Sequence, residues 1–429
     1  HHIETRGYDV VGQEVVHAST TPVWEDGRLQ PRPVVLRVFV AATSDGYRLS
    51  GLAPHVGRGR GALPQGAKLL DEFVPEEEIL PLAQSVVRVF ARLGERKNRN
   101  RARVKFLVTK LGIDEFKRLV LEERKTLPHD DRWTSYLKDV TDYKETALKD
   151  AVQLNGKARP EGYDAWAATN AYKQQQAGYV AVTVNLPLGD LSGEQARRVA
   201  DIARKYVGDN IRTTVEQNII LRWVSEADLP DVYSELKAVG LAEPGAGTIV
   251  DITACPGTDT CKLGIASSRG LAGELHTHLT AKSASLPDAI KDLKIKISGC
   301  FNSCGQHHVA DIGFYGNSRK VGNHTVPHFQ VVLGGQWDHN AGSYGLAMGA
   351  VPSKAVAAVI GEIRARYLAQ RPRGERFQDW AKRLGRKELR TLLDPFMKVP
   401  AYEQDASYYT DWGDPREFTI GDMGVSECA

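Results

Sequence analysis

An α+β fold is predicted for this chain by two observations. Its middle stretch runs strand, helix, strand, strand, helix, and the stretch after it alternates strands with cysteine-bearing loops. At 429 residues, 42% of them hydrophobic, the chain can bury sizeable cores and exceeds one typical domain, so two to four domains are expected. Lys+Arg 56 against Asp+Glu 53 leaves +3, a balance that points to neither nucleic acid nor membrane surface. No apolar run reaches the length of a membrane span. The first residues, HHIETRGYDVVGQ, lack a signal peptide's apolar stretch and an initiator Met, which reads as a truncated or altered N-terminus on a cytoplasmic protein.

The elements follow in order. Residues 34–42 alternate as a candidate strand, but Pro31, Pro33 and Pro54 interrupt the surrounding pattern. Residues 55–63, HVGRGRGAL, form a glycine- and arginine-rich loop that could cradle an anion, although such a stretch is more often simply a flexible connection. A helix is predicted over residues 76–92, with Ile79, Leu82, Val86, Val89 and Phe90 at helical spacing. Pro75 and the acidic run Glu76–Glu78 suit its positive N-terminal end. Two more helices follow, broken at Gly112, and residues 125–170 read as a polar linker.

Strands are predicted over residues 178–185, 211–215 and 218–224, with helices over 192–206 and 226–239. Ser192 and Gln195 form the capping pattern of the first of these helices. This is a ferredoxin-like half-unit. Strands over 248–252 and 295–298 then each lead into a cysteine pair, which puts both pairs at one end of a sheet. A helix over 353–370 follows, and a tail from Gln378, rich in Pro, Tyr and Trp, is expected to wrap over a neighbouring surface.

Five cysteines, without a secretory signal, argue for metal or redox use over a disulfide framework. Four of them form Cys255-Pro-Gly-Thr-Asp-Thr-Cys261 and Cys300-Phe-Asn-Ser-Cys304. Thiolates from two loops suit an iron–sulfur cluster, because soft sulfur ligands favour iron. A structural zinc site ordinarily has two intervening residues within a pair, whereas these pairs have five and three. Cys428 stands apart from every motif and reads as a free thiol.

The segments TACPGTDTCKLGIASS and KISGCFNSCGQHHVADIGFYG resemble the sirohaem/4Fe-4S sulfite and nitrite reductases. IRTTVEQNIILRWV is similar to the ferredoxin-like repeat of that family, and VVLGG to a strand that contacts sirohaem. The tail SYYTDWGDPREFTIGDMGVSECA also resembles bacterial members. The similarity covers residues 65–125 and 170–375. It implies that Cys255, Cys261, Cys300 and Cys304 ligate a 4Fe-4S cluster, that Cys304 also bridges to the sirohaem iron, and that Asn302 lies at the macrocycle edge. Asn302 read alone is a turn residue that tolerates left-handed geometry.

Lys97, Arg101 and Lys105 would share one face if their segment is helical, and guanidinium groups grip carboxylates in pairs. A solvated basic face or an RNA patch are the alternatives, the latter weakened by the lack of interleaved aromatics. The resemblance favours sirohaem carboxylates as the partners of Arg101 and Lys105. Arg212, Gln217 and Asn218 stand on the strand pair that faces the cofactor in the family; a polar hairpin accounts for them equally well. His307 and His308 are candidate ligands or proton donors by type and more commonly structural.

The resemblance also exposes a gap. Family members have two pseudo-symmetric halves, and residues 1–60 hold no counterpart of the RTTVEQN strand pair and no cationic substrate cluster. The catalytic residues are therefore unassigned, and a chain lacking part of one half is expected to turn over poorly. The overall expectation is an α+β protein with a ferredoxin-like repeat, a sirohaem/Fe-S-binding α/β domain and a partial pseudo-symmetric first half. Residues 1–60 form an atypical or incomplete segment, and residues 61–165 a remnant of the first sirohaem-binding half with its linker. The ferredoxin-like repeat spans 170–245, the sirohaem and 4Fe-4S domain 246–375, and the tail 376–429. The implied activity is six-electron reduction of sulfite to sulfide or nitrite to ammonia, with ferredoxin or a flavoprotein as donor and no nucleic-acid or membrane partner. The alternatives are a non-catalytic Fe-S electron-transfer subunit and a structural zinc protein.

Overall fold

The structure is a computed structural model that describes residues 20–25, 28–33, 42–43, 46–47, 51–52, 54–57, 59, 63–138, 145–281, 286–336 and 343–420. Most of the candidate strand at 34–42, part of the glycine–arginine loop and Cys428 lie outside these residues. The chain divides into two compact units, His1–Arg58 with Ala67–Tyr143, and Gly59–Gly66 with Lys144–Ala429.

In the first unit, strands β1 (Thr20–Glu25) and β2 (Arg28–Pro33) pair antiparallel, followed by helices α1 (Glu76–Leu93), α2 (Val104–Leu111) and α3 (Ile113–Thr126). The acidic first turn of α1 and the break at Gly112, where φ is 81°, are as the sequence predicts. The apolar stripes meet in one core that includes Ile79, Leu82, Val89, Leu107, Phe116 and Val120. The predicted basic helix face is corrected here. Arg99–Arg101 is a single 3-10 turn and the helix begins only at Val104, so Lys97, Arg101 and Lys105 share no continuous helix. The cause is local: the Glu95 carboxylate accepts the backbone N–H groups of Lys97 and Asn98 at 2.7 and 3.1 Å, a turn that competes with helical bonding.

Among the described residues, the second unit has two sheets. Helix α4 (Tyr163–Asn170) leads into β3 (Ala171–Lys173) and β4 (Tyr179–Val184), then α5 (Gly193–Tyr206), β5 (Ile211–Thr213), β6 (Ile219–Ser225) and α6 (Leu229–Lys237). The antiparallel order is β5-β6-β4-β3, with Trp166, Val182, Ile202, Leu221 and Val232 in its core. Ser192 and Gln195 close the predicted capping box. Residues 125–170 are not all linker, since α3 extends to Thr126 and α4 starts at Tyr163.

The other sheet runs β7 (Thr253–Ala254), β8 (Ile295–Ser298), β9 (Ile312–Val321), β10 (His324–Leu333) and β11 (Leu346–Pro352). Strands β7, β8 and β9 are parallel, and β9 to β11 antiparallel. Helix α7 (Ser268–Thr280) crosses between β7 and β8, while α8 (Val356–Gln370) and α9 (Phe377–Thr391) complete the unit. On β8, Ile295 and Ile297 enter the large apolar core, and Lys296 and Ser298 belong to the opposite pleat. The strand predicted at 248–252 is displaced to Thr253–Ala254. Gly245 and Gly247 adopt φ of 117° and 68°, and the Gly247 N–H donates to Asp251 at 2.7 Å, so this stretch turns instead of extending.

Candidate iron–sulfur site

Parallel strands β7 and β8 end side by side, and a cysteine pair leaves the C-terminal end of each. In register, Ala254 stands beside Ile297, and the Cys255 N–H donates to the Ile297 carbonyl at 3.2 Å. The four thiols form one electrostatic neighbourhood. Burial pushes the Cys300 thiol up to about 11, and Cys255, Cys304 and Cys261 each add to that rise. A cation in their midst would reverse the balance and hold all four as thiolates.

The first loop is pinned by short bonds. The Ser268 hydroxyl donates to the Cys255 carbonyl at 2.7 Å and lies 3.5 Å from Cys255 Sγ. The Gly299 N–H donates to Cys255 Sγ at 3.1 Å. The Cys261 N–H donates to the Gly257 carbonyl at 3.0 Å. The two loops touch through glycine: a Cβ on Gly299 would lie 2.6 Å from Gly257 Cα and 3.0 Å from the Ala266 carbonyl oxygen. Backbone can approach backbone this closely only without side chains.

The second loop turns through Ser303 and Gln306, with φ of 61° and 65°. Ser298 Oγ accepts the Gly305 N–H at 3.1 Å and bonds His307 Nδ1 at 2.8 Å, anchoring the chain just past Cys304. The His307 ring packs on Tyr315 at 4.7 Å and on His308 at 4.1 Å, and His308 on Tyr344 at 5.5 Å. Both histidines are buried. The Asn302 Oδ1 and Ser303 Oγ atoms are buried with no hydrogen-bond partner. Two idle polar atoms inside a cysteine loop fit a site shaped for a further group.

The residues present therefore fit a cluster. Among the described residues, no three Cys, His, Asp or Glu side chains gather tightly enough to hold one metal ion. A structural zinc ion gathers four ligands on one ion, whereas a 4Fe-4S cluster spreads its thiolates over separate irons.

The other sequence candidates are placed as follows. Asn218 is buried, its Nδ2 donating to both Asp251 oxygens at 3.1 and 2.9 Å and its Oδ1 accepting the Leu186 N–H at 2.9 Å. Burial raises the Asp251 carboxyl above its ordinary range despite these bonds. Arg212 is ion-paired with Glu145, which also takes Arg222 at 2.5 Å and the Trp223 indole N–H at 3.2 Å. Gln217 bonds the backbone of Ala254, one residue before Cys255. The side-chain bonds of Asn218 thus run to Asp251 and Leu186, outside the hairpin. Arg101 and Lys105 belong to the other unit; Arg101 is exposed, and Lys105 is buried with its amine lowered by desolvation.

Sequence reasoning missed Ser268, Ser298 and Gly299, small residues without a chemical signature of their own. It also missed Asp411, a tail carboxylate that accepts the Ser267 N–H at 2.6 Å and the Ser353 hydroxyl at 3.2 Å.

A family model described as the nitrite and sulphite reductase 4Fe-4S domain matches residues 19–128 and 245–400, and one described as the nitrite/sulfite reductase ferredoxin-like half domain matches residues 172–239. A sulfite reductase [ferredoxin] 2 of Mycolicibacterium paratuberculosis is 31% identical over 347 residues, covering 79% of this chain and 57% of that protein. An assimilatory ferredoxin-dependent nitrite reductase of Haloferax mediterranei is 28% identical, covering 82% of this chain and 58% of that protein. The solved structure of the Mycobacterium tuberculosis NirA protein aligns at a TM-score of 0.62 and 27% identity, over 81% of this chain and 59% of that one. The chain thus spans less than two thirds of the length of these relatives.

Proposed function

Because the chain belongs to the nitrite and sulphite reductase family, we propose that it carries the coupled sirohaem/4Fe-4S centre of a six-electron reductase of sulfite or nitrite. The observation that supports this is the convergence of Cys255, Cys261, Cys300 and Cys304 at the ends of two adjacent parallel strands. These four would hold the cluster, and Cys304, exposed on its loop, would share its sulfur with the sirohaem iron. Bound together, the two groups supply single-electron delivery and a metal on which a small oxyanion is reduced.

The chain's own residues do the positioning. Ser268 and Gly299 hold Cys255, and Ser298 holds the backbone beyond Cys304. Asn302 and Ser303 offer buried polar atoms beside the cysteines. Arg101 and Lys105 are the proposed partners of sirohaem carboxylates, and Arg101→Glu is expected to lower sirohaem content in folded protein. The proposed donor is a ferredoxin or a flavoprotein; several relatives are ferredoxin-dependent by name.

The test is anaerobic reconstitution followed by iron, sulfide and visible-absorption analysis, then assay with reduced viologen and either anion. A Soret-type band with a red band, four irons per chain beyond the sirohaem, and only slow consumption of sulfite or nitrite are expected. A broad, weak iron–sulfur spectrum without a Soret band would move the assignment to an electron-transfer subunit. Failure to bind iron at all would remove the reading.

A further inference from the structure

We propose that Gln217 is a positioning residue for the iron–sulfur site: its carboxamide acts as a missing strand for Ala254 and thereby sets where Cys255 sits. The inference rests on Cys255 being a cluster ligand, as proposed above.

Strand β7 is two residues long and lies at the edge of its sheet. In a parallel strand, successive residues direct their backbone groups to opposite sides. The Cys255 N–H points inward, to the Ile297 carbonyl on β8. The N–H and carbonyl of Ala254 therefore point outward, where an edge strand has no neighbour. Ala254 is 1% exposed, so water cannot serve them. Gln217 does. Its Oε1 accepts the Ala254 N–H at 3.1 Å, and its Nε2 donates to the Ala254 carbonyl at 2.9 Å. A primary amide carries one acceptor and two donors, so it reproduces both bonds that a backbone neighbour would make.

The backbone of Gln217 shows that this role is imposed on it. Its φ is 72°, a left-handed conformation that favours glycine or asparagine in a hairpin turn. The turn itself is closed by other groups, the Gln217 N–H to the Thr214 carbonyl at 3.2 Å and the Thr214 N–H to the Asn218 carbonyl at 2.9 Å. A residue needed only to turn the chain would be better as glycine. A long amide at a strained position, aimed at the residue before a ligand cysteine, fits a positioning function instead. The neighbouring Gly189 keeps the amide in place: a Cβ there would lie 3.0 Å from Gln217 Cβ.

The experiment uses the full chain with three variants, Gln217→Gly, Gln217→Asn and Gln217→Glu. Glycine relieves the turn and removes the amide, asparagine suits the turn with a shorter amide, and glutamate keeps the length but cannot donate to the Ala254 carbonyl. Hydrogen exchange at residues 253–256 is read in the cluster-free chain, and the rate of iron release to a chelator together with the EPR signature of the reduced cluster in the reconstituted chain. Expected are faster exchange at 253–256 and faster iron release in the glycine and asparagine variants, glutamate falling between them and the parent. A parent chain that binds no iron would sink the iron–sulfur assignment and, with it, this inference. A parent that binds iron, with variants matching it in exchange, iron release and EPR, would overturn the role of Gln217 alone. Variants that lose iron as fast as one another while the parent holds it, with unchanged exchange at 253–256, would also overturn it, because the loss would then not run through Ala254.

Discussion

Asp411 and Ser267 are 144 positions apart in the chain, yet the carboxylate of one accepts the backbone N–H of the other at 2.6 Å. Ser267 is the N-cap of the helix that follows the first cysteine loop, and its own hydroxyl accepts the Gly270 N–H at 3.1 Å. The tail therefore ties down a helix end next to the proposed cluster. Asp411→Ala leaves the Ser267 N–H and the Ser353 hydroxyl without their acceptor in a buried place, at a cost of about 1–3 kcal/mol. Urea denaturation should show a lower midpoint, with Asp411→Asn, which keeps one oxygen, losing less.

If the four paired cysteines hold the proposed cluster, each of them is needed to retain iron. Cys255→Ser, Cys261→Ser, Cys300→Ser and Cys304→Ser are expected to lower iron and acid-labile sulfide well below the parent after identical reconstitution. Full iron content in the Cys300→Ser chain would count against the convergence inferred from its electrostatic neighbours.

Gly299→Ala tests the contact between the two loops. The new methyl would stand 2.6 Å from Gly257 Cα, against backbone that cannot swing aside. Overpacking of this kind costs about 1–3 kcal/mol. The expected outcome is a lower melting temperature of the cluster-free chain and poorer iron retention.

His328, 1% exposed on β10, is held below the ordinary histidine value of 6.5 by burial, which outweighs its bond to the Val326 carbonyl. A lowered base is neutral when folded and protonates more readily when unfolded. Its contribution is therefore whole above the ordinary value and drains away as pH falls through it. Asp251 and Asp411, raised by burial, act in the opposite sense. His328→Gln is expected to flatten the loss of thermal stability between about pH 7.5 and 5.5. Parallel curves for parent and variant would exclude this source.

The parts of the fold legible in the sequence were those governed by local rules. Ser192 with Gln195, the acidic start at Glu76, the break at Gly112 and the apolar alternation of Ile295–Ser298 each announce themselves within a few residues. The cysteine spacing was legible for the same reason. What was hidden depended on distant partners or on short-range competition. The strand expected at 248–252 gave way to turns at two glycines. The basic run lost its helix to the Glu95 carboxylate. The Asn218 amide proved bound to Asp251, 33 positions away. None of these outcomes can be read from hydrophobic period or charge alone.

The two cysteine pairs hang from unequal supports, and that inequality has a temporal consequence. One pair follows β8, an interior strand with neighbours on both sides; the other follows a two-residue edge strand. When the protein opens in part, the border of a sheet parts before its middle. If the four cysteines hold the proposed cluster, its oxidative or thermal breakdown should have an order, Cys255 and Cys261 being released before Cys300 and Cys304.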